Sequence, residues 1–339
     1  MRYIGGKSKL IGEIENFVHN NVRDNSKSFL DLFAGTCSVG NFFKNKYQVY
    51  ANDKLYFSYA ISNAILNNNT PKFIKLKKIG IKDPLDYLNS VKCEPDDTYF
   101  IYKNYSPAGI EGRKYLSESN AIKIDSIRQT IEHWFKNELL EEDEYEYLIA
   151  SLVESVSLVS NTTGTYGAYL KHWDKRAKKD LELKHFILID NQRKNKAFNY
   201  NAEEIVNFIS SDICYLDPPY NSRQYSSNYH LLETIARYDY PNIKGVTGIR
   251  QSSKNESSLF CKKGTVLQSF DNIIKNIQSR HLIISYSSDG LLSAEDIECI
   301  LKKYGNSETF SFCNVSYNTY KSKIVNKRNV EEYLFYIRK

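Results

Sequence analysis

The apolar positions of this chain change period along its length. Near the start they form compact runs, Ser28-Phe29-Leu30-Asp31-Leu32-Phe33 and Tyr47-Gln48-Val49-Tyr50-Ala51, each of the length of a buried strand. The first run leads into Ala34-Gly35-Thr36-Cys37-Ser38-Val39-Gly40, and a helix is predicted from Asn41, giving the order strand, glycine turn, helix, strand. Between Asn120 and Leu140 the period becomes helical. Ile124, Ile127, Ile131 and Trp134 share one face there, and Tyr145, Leu148, Leu152, Val153 and Val156 repeat the stripe, so two helices facing a core are predicted. Strands return later as Ile213-Cys214-Tyr215-Leu216, Leu282–Ser287, and the pair Thr309–Phe312 and Tyr333–Ile337, which is expected to be antiparallel. His185-Phe186-Ile187-Leu188-Ile189 is a candidate for an earlier return to strand.

This alternation predicts an α/β fold with a mixed sheet. Residues 1–70 and 185–339 are expected to form its main domain, and 71–184 a largely helical insertion. Residues 221–263 are polar and interrupted by Tyr240-Pro241, Gly245 and Gly248, which reads as a long loop or arm.

Chemistry concentrates where the framework turns. Asp217-Pro218-Pro219-Tyr220 directly follows a strand. The carboxylate of Asp217 can accept an N–H. The two prolines fix φ and end the ladder, which frees the Pro218 carbonyl to accept another. Tyr220 offers a flat face on which a nucleobase swung out of a helix could stack. Together these groups suit work on an exocyclic amine, whose lone pair is delocalised into the ring and must be localised before it attacks. Asp-Pro also begins ordinary turns, so the upstream loop matters. The glycine turn of residues 34–40 lets backbone approach a ligand, and the next strand ends at Asn52-Asp53, about 20 residues past the first glycine, where doubly wound folds hold ribose hydroxyls. A phosphate loop is excluded because Asn41-Phe42 stand where Lys-Ser or Lys-Thr is required, and Cys37 breaks the nicotinamide fingerprint.

Composition narrows the picture. In 339 residues with 41% hydrophobic content, there is no run of about 18 apolar residues such as a membrane span needs, and Met1-Arg2-Tyr3 is not expected to begin a signal peptide. The six cysteines make no Cys-x-x-Cys and the histidines no His-Glu-x-x-His, so reduced thiols, an intracellular location and no metal are expected. The net charge of +6 favours a polyanionic partner only modestly. Its distribution says more. Lys171, Lys175, Arg176, Lys178 and Lys179 cluster, as do Lys72, Lys75, Lys77, Lys78 and Lys82, while Glu141-Glu142-Asp143-Glu144 is acidic. The 27 tyrosines and 17 phenylalanines carry little weight singly, Tyr220 excepted.

With Arg2-Tyr3-Ile4-Gly5-Gly6-Lys7 preceding the glycine turn, and Asn104-Tyr105-Ser106-Pro107, Asn161–Gly167, Asn221–Tyr225 and Ser285-Tyr286-Ser287 following it, the chain resembles the D12 class of adenine-N6 DNA methyltransferases, the group of the Dam enzymes, in its restriction-associated branch. The resemblance implies a Rossmann-like fold with a mixed, mostly parallel seven-stranded sheet. It implies S-adenosylmethionine as cofactor, double-stranded DNA as substrate, a cognate restriction endonuclease as partner, and a prokaryotic cytoplasm as location. By residue, it implies that Tyr3 and Lys7 line the cofactor site, with Asp31, Phe33, Ala34, Gly35 and Ser38 as its methionine-side loop. Asp53 falls on the ribose, Asn201-Ala202 on the adenine, and Asp217 to Tyr220 on the chemistry. Many members have a small residue or glycine where Cys37 stands; if that site needs positive φ, the loop is strained. Arg223, Gln224, Lys171, Lys175, Arg176 and Arg250 are the candidates for DNA contact. Three alternatives stay open: N4-cytosine methylation, in which Ser more often leads the tetrapeptide; a catalytically inactive DNA-binding protein on the same fold; and RNA methylation, which no feature of the sequence excludes.

Overall fold

A computed structural model describes residues 3, 5–251, 257–316 and 331–339. The chain divides into two compact units, the first comprising residues 1–6, 55–190 and 225–255, the second residues 7–54, 191–224 and 256–339. Among the described residues the strands are β1 (Ser28–Asp31), β2 (Gln48–Asn52), β3 (Lys196–Phe198), β4 (Ser210–Leu216), β5 (Ile243–Lys244), β6 (Ile249–Arg250), β7 (Gln278–Ser287), β8 (Asn306–Ser316) and β9 (Glu331–Arg338).

The second unit is built on a seven-stranded sheet in the order β3-β2-β1-β4-β7-β9-β8. Strands β3, β2, β1, β4 and β7 run parallel, and β9 is antiparallel to both β7 and β8. The result is a mixed, mostly parallel α/β sheet of Rossmann-like type. Parallel strands covered on both faces read as continuous apolar runs, which is why Phe29-Leu30 and Ile213–Leu216 are wholly buried. On one face Leu30, Cys214, Leu216, Leu282 and Ile284 join Phe270 and Ile273 in one apolar cluster. On the other, Phe29 stacks on Phe43 at 4.5 Å and lies nearly parallel to the Tyr215 ring. The strand order reverses between β1 and β4. In open α/β sheets, ligands bind outside the carboxyl ends of the strands at such a switch point; Asp31 ends β1 and Asp217 follows β4.

The first unit is largely helical. Ser117 caps the helix Glu118–Lys136, whose Ile124, Ile127, Ile131 and Trp134 are buried as the stripe predicts. The acidic run at 141–144 opens the next helix, Glu142–Val159, where the Glu144 carboxylate accepts from the Glu141 N–H; negative charge there complements the helix dipole. Residues 71–184, the expected insertion, lie within this unit, which also takes in the helix Tyr56–Leu66 because Phe57, Ala60, Ile61 and Ala64 belong to its core.

Two sequence expectations fail here. Residues 185–189 form no strand: the Phe186 N–H donates to the Tyr147 hydroxyl and the His185 ring pairs with Asp83 and Tyr147, so side chains replace a strand ladder. The supposed arm at 221–263 contains the helix His230–Arg237 and the hairpin β5–β6. That helix escaped notice because its polar residues are buried with partners. The Glu233 carboxylate accepts from the N–H groups of Tyr56 and Phe57, and the His230 ring bonds the Tyr166 carbonyl. Burial pushes the His230 imidazole down to about 4, so it sits there neutral. No helix among the described residues is long and apolar enough to cross a membrane.

Candidate active site

The glycine turn is held by two carboxylates. Asp31 Oδ2 accepts the Gly40 N–H at 2.9 Å, and Asp53 Oδ2 accepts the Gly35 N–H at 2.9 Å. Between them the backbone takes the left-handed region at Gly35 (φ 54°) and at Cys37 (φ 57°). Cys37 therefore carries the strain that its sequence context raised, on the order of 1–2 kcal/mol for a residue with a Cβ. The helix that follows is Ser38–Phe43, three residues earlier than predicted, because Gly40 turns its N–H back onto Asp31. A Cβ on Gly40 would lie 3.0 Å from Cys37 Sγ and 3.3 Å from Asp31 Oδ2. Gly40→Ala is therefore expected to lower stability by about 1–3 kcal/mol through overpacking and to weaken ligand binding at the turn; a thermal melt and a binding titration check both.

Beside the turn, Asp53 and Lys54 present their carbonyls to the Asn199 amide, and Asn52 exchanges hydrogen bonds with the Tyr200 backbone. These contacts bring residues 199–202 to the end of β2, with Ala202 buried and Asn201 half-buried, its amide on Glu204. Phe33 is half-buried and meets the Phe260 ring edge-on at 5.2 Å. Ala34 is buried, and Ser38 is half-buried with its hydroxyl 2.9 Å from that of Thr36.

Asp217 pairs through Oδ1 with Lys7 Nζ at 3.0 Å, and the same ammonium pairs with Glu332 Oε1 at 2.8 Å. Lys7 and Glu332 are buried, whereas the Asp217 side chain keeps 16% of its surface exposed. Oδ2 of Asp217 and the Pro218 carbonyl carry no hydrogen bond among the described residues, so both have lone pairs to offer. Tyr220 is half-buried; its carbonyl accepts from Leu291, and its ring stands at 78° to that of Tyr286, centroids 6.4 Å apart. Burial, with the Glu332 charge, raises the Asp217 carboxyl above the usual range against the pull of Lys7. Burial also raises Asp31 to about 7, helped by the charges of Asp217 and Asp53. Lys7 itself is held charged: burial favours its neutral form, but the two carboxylates outweigh it.

Asp31, Asp53, Asp217 and Glu332 thus gather around the switch point with the Lys7 ammonium answering two of them. That donor set fits a ligand that brings positive charge and hydroxyl groups. Among the described residues no three His, Cys, Asp or Glu side chains stand together as a metal-holding group.

Residues 3–300 match the family described as D12 class N6 adenine-specific DNA methyltransferase. The chain belongs to that family. It is 48% identical, over its whole length, to the type II methyltransferase M.FokI of Planomicrobium okeanokoites, and 46% identical to the modification methylase StsI of Streptococcus sanguinis; it covers 53% and 52% of those proteins. The chain therefore spans about half the length of these curated relatives. With the type II methyltransferase M.NlaIII of Neisseria lactamica it shares 35% identity over 97% of this chain and 95% of that protein.

The other sequence candidates of this D12 family member have the following surroundings. Tyr3 lies in the first unit, stacked on Tyr229 at 4.5 Å near Tyr225 and Phe57. Lys171 and Lys175 are exposed, on a loop organised by Asn161, whose amide donates to the carbonyls of Lys114, Leu170 and His172 while its oxygen accepts from Asp174. Arg176 is half-buried, on Asp174 and the Thr162 carbonyl. Arg223 is exposed, but the Gln224 amide is engaged on both sides by the Ser258 backbone. Arg250 is buried and forks onto Asp239 at 3.1 and 2.8 Å. Arg250→Ala is accordingly expected to cost ~2 kcal/mol of stability while leaving the salt dependence of DNA binding unchanged, as melts and a salt titration will register.

Sequence reasoning missed Glu332. Its signal was present: in Glu331–Arg338 it shares a face with Leu334 and Tyr336 in a strand whose residues 334–337 are buried on both faces.

Proposed function

We propose that this chain transfers a methyl group from S-adenosylmethionine to the N6 amine of adenine in double-stranded DNA, as the modification arm of a restriction–modification system. The observation that carries the reading is the pair of acceptors that carry no hydrogen bond among the described residues, Asp217 Oδ2 and the Pro218 carbonyl, beside a turn held by Asp31 and Asp53. Family membership and the names of the relatives support it.

S-adenosylmethionine, when bound, supplies a methyl group on a positively charged sulfur. Asp31 and the turn through Gly35 and Ser38 would hold its amino-acid end, with Lys7 backing the site from Asp217. Asp53 would take the ribose hydroxyls, and Asn201-Ala202 the adenine edge. Asp217 Oδ2 and the Pro218 carbonyl would each accept one N–H of the target amine, which restores electron density to its nitrogen and fixes its direction of attack. Tyr220 would stack on the extruded base. Asp217, in its ionised form, is the nearest acceptor for the proton that the nitrogen must lose.

The second unit is the catalytic part of this reading, and the first, with 71–184 at its centre, is the target-recognition part. Lys171, Lys175 and Arg176 in the first unit and Arg223 in the second are the candidates for DNA contact. Arg250 and Gln224 are left out because Arg250 is buried and forks onto Asp239 and both ends of the Gln224 amide meet the Ser258 backbone. A cognate nuclease and a location at bacterial DNA follow from the same reading.

The test is direct. Incubate the chain with labelled S-adenosylmethionine and duplex DNA, digest the DNA, and identify the labelled nucleoside. N6-methyladenine is expected; N4-methylcytosine would move the target to another base, and no label in DNA would refute the reading.

A further inference from the structure

Glu332 is the carboxylate that the proposed chemistry leaves without a task, and it lies beyond the segment 3–300 that matches the family. It occupies β9, between Ser287 of β7 and Val315 of β8, so backbone ladders fix it from both sides. It is 1% exposed. One oxygen takes the Lys7 ammonium and the Ser285 hydroxyl; the other, Oε2, is buried with no hydrogen-bond partner among the described residues. A buried charge with an unsatisfied oxygen is costly to fold, and a methionine or leucine would fill a sheet interior more cheaply. The Lys7 ammonium is what the carboxylate touches, and Lys7 touches Asp217.

We propose that Glu332 is a positioning residue: by sharing the Lys7 ammonium, it fixes Asp217 with Oδ1 occupied and Oδ2 left for the substrate amine, and it sets how much negative charge Oδ2 retains. Left alone with Lys7, Asp217 would surrender more of its charge to that ammonium and become a weaker acceptor. Without Lys7, a carboxylate beside Glu332 and Asp31 would hold a proton and stop accepting altogether. The shared cation keeps Asp217 between these limits. Among the described residues, the charged and titratable groups facing Asp217 are Lys7 from the N-terminal turn, Glu332 from β9, Asp31 from β1 and Tyr215 from β4, and of these Lys7 and Glu332 touch each other. This inference rests on the methyl-transfer reading for its consequence, but not for its electrostatics.

The experiment uses the full chain without ligand, labelled with 13C at the aspartate carboxyls, the Asp217 signal being assigned by its loss in Asp217→Asn. Glu332→Gln keeps size and hydrogen bonding but removes the charge, so the Asp217 titration midpoint should fall by about one pH unit; Lys7→Met should raise it by at least as much. Single-turnover methyl transfer, measured against pH, should follow. In Glu332→Gln the acid limb moves down, and the plateau falls by about tenfold as the acceptor weakens; in Lys7→Met the limb moves up. A Glu332 that served packing alone would change the melting temperature and leave midpoint and limb in place, and that result overturns the proposal. Should Glu332→Gln fail to fold, Lys7→Met decides by itself, an unmoved midpoint overturning the shared-cation arrangement. A wild-type chain that methylates nothing would sink the functional reading, yet the carboxyl titrations would still judge the Glu332–Lys7 pair.

Discussion

Replacing Asp217 by alanine is expected to reduce methyl transfer to duplex DNA by at least about a thousandfold, the scale on which a positioned acceptor or proton acceptor acts, with cofactor affinity nearly unchanged. The fold should survive the change. Lys7 keeps its 2.8 Å partner Glu332, so no buried ammonium is stranded, and Asp217 follows β4 rather than pairing within it. The wild-type pH profile adds a second check. Asp217 must be ionised to accept from the amine, and burial and Glu332 raise its proton affinity while Lys7 opposes them. A raised folded-state value puts the loss of activity at a higher pH than an ordinary carboxylate would, so the rate should decline on acidification from near neutrality. Counting label from the donor in DNA, for both proteins and across pH, tests this; equal incorporation by Asp217→Ala would remove the residue from the chemistry.

Asp53→Ala should weaken cofactor binding by about 30- to 100-fold, which corresponds to about 2–3 kcal/mol for lost hydrogen bonds to a charged acceptor. Two effects combine in that figure. The carboxylate is proposed to take the ribose hydroxyls, and it also holds the Gly35 N–H at 2.9 Å, so its removal loosens the strained turn. Asp53→Asn separates them: its amide oxygen can still accept from Gly35 while the charge is gone, and an intermediate affinity is expected. DNA affinity should not respond to either change. Calorimetry that finds cofactor affinity intact in Asp53→Ala would refute the ribose assignment.

The comparison of sequence with structure separates two kinds of information. Legible from the letters were the strands β1, β2, β4, β7 and the β8–β9 pair, because buried strands need unbroken apolar runs, and the two long helices of the first unit, because an amphipathic helix must repeat its apolar face. The Asp-Pro-Pro-Tyr turn and the glycine turn were legible for a similar reason. Proline, glycine and an aspartate at fixed spacing constrain the local backbone wherever they occur. The positive φ of Cys37 could be suspected from the residue types expected there, but the letters gave no sign that Gly40 would fold its N–H back onto Asp31.

What failed was whatever depended on a partner distant in sequence. His185–Ile189 has strand composition, yet Tyr147 and Asp83 take its hydrogen bonds. The helix His230–Arg237 lies in a stretch read as polar, yet its Leu231, Leu232 and Ile235 are buried and its Glu233 caps a helix that begins at Tyr56. Arg250 has the chemistry of a base reader, but Asp239 holds it. Sequence by itself determined the main strands, the two long helices and the two turns, since these follow from local backbone preference and short-range periodicity. Only the tertiary structure decided which charges meet: the Lys7 ammonium lies between Asp217 and Glu332 because three segments far apart in the chain converge there, and in a buried setting a charge is defined by its neighbours rather than by its place in the chain.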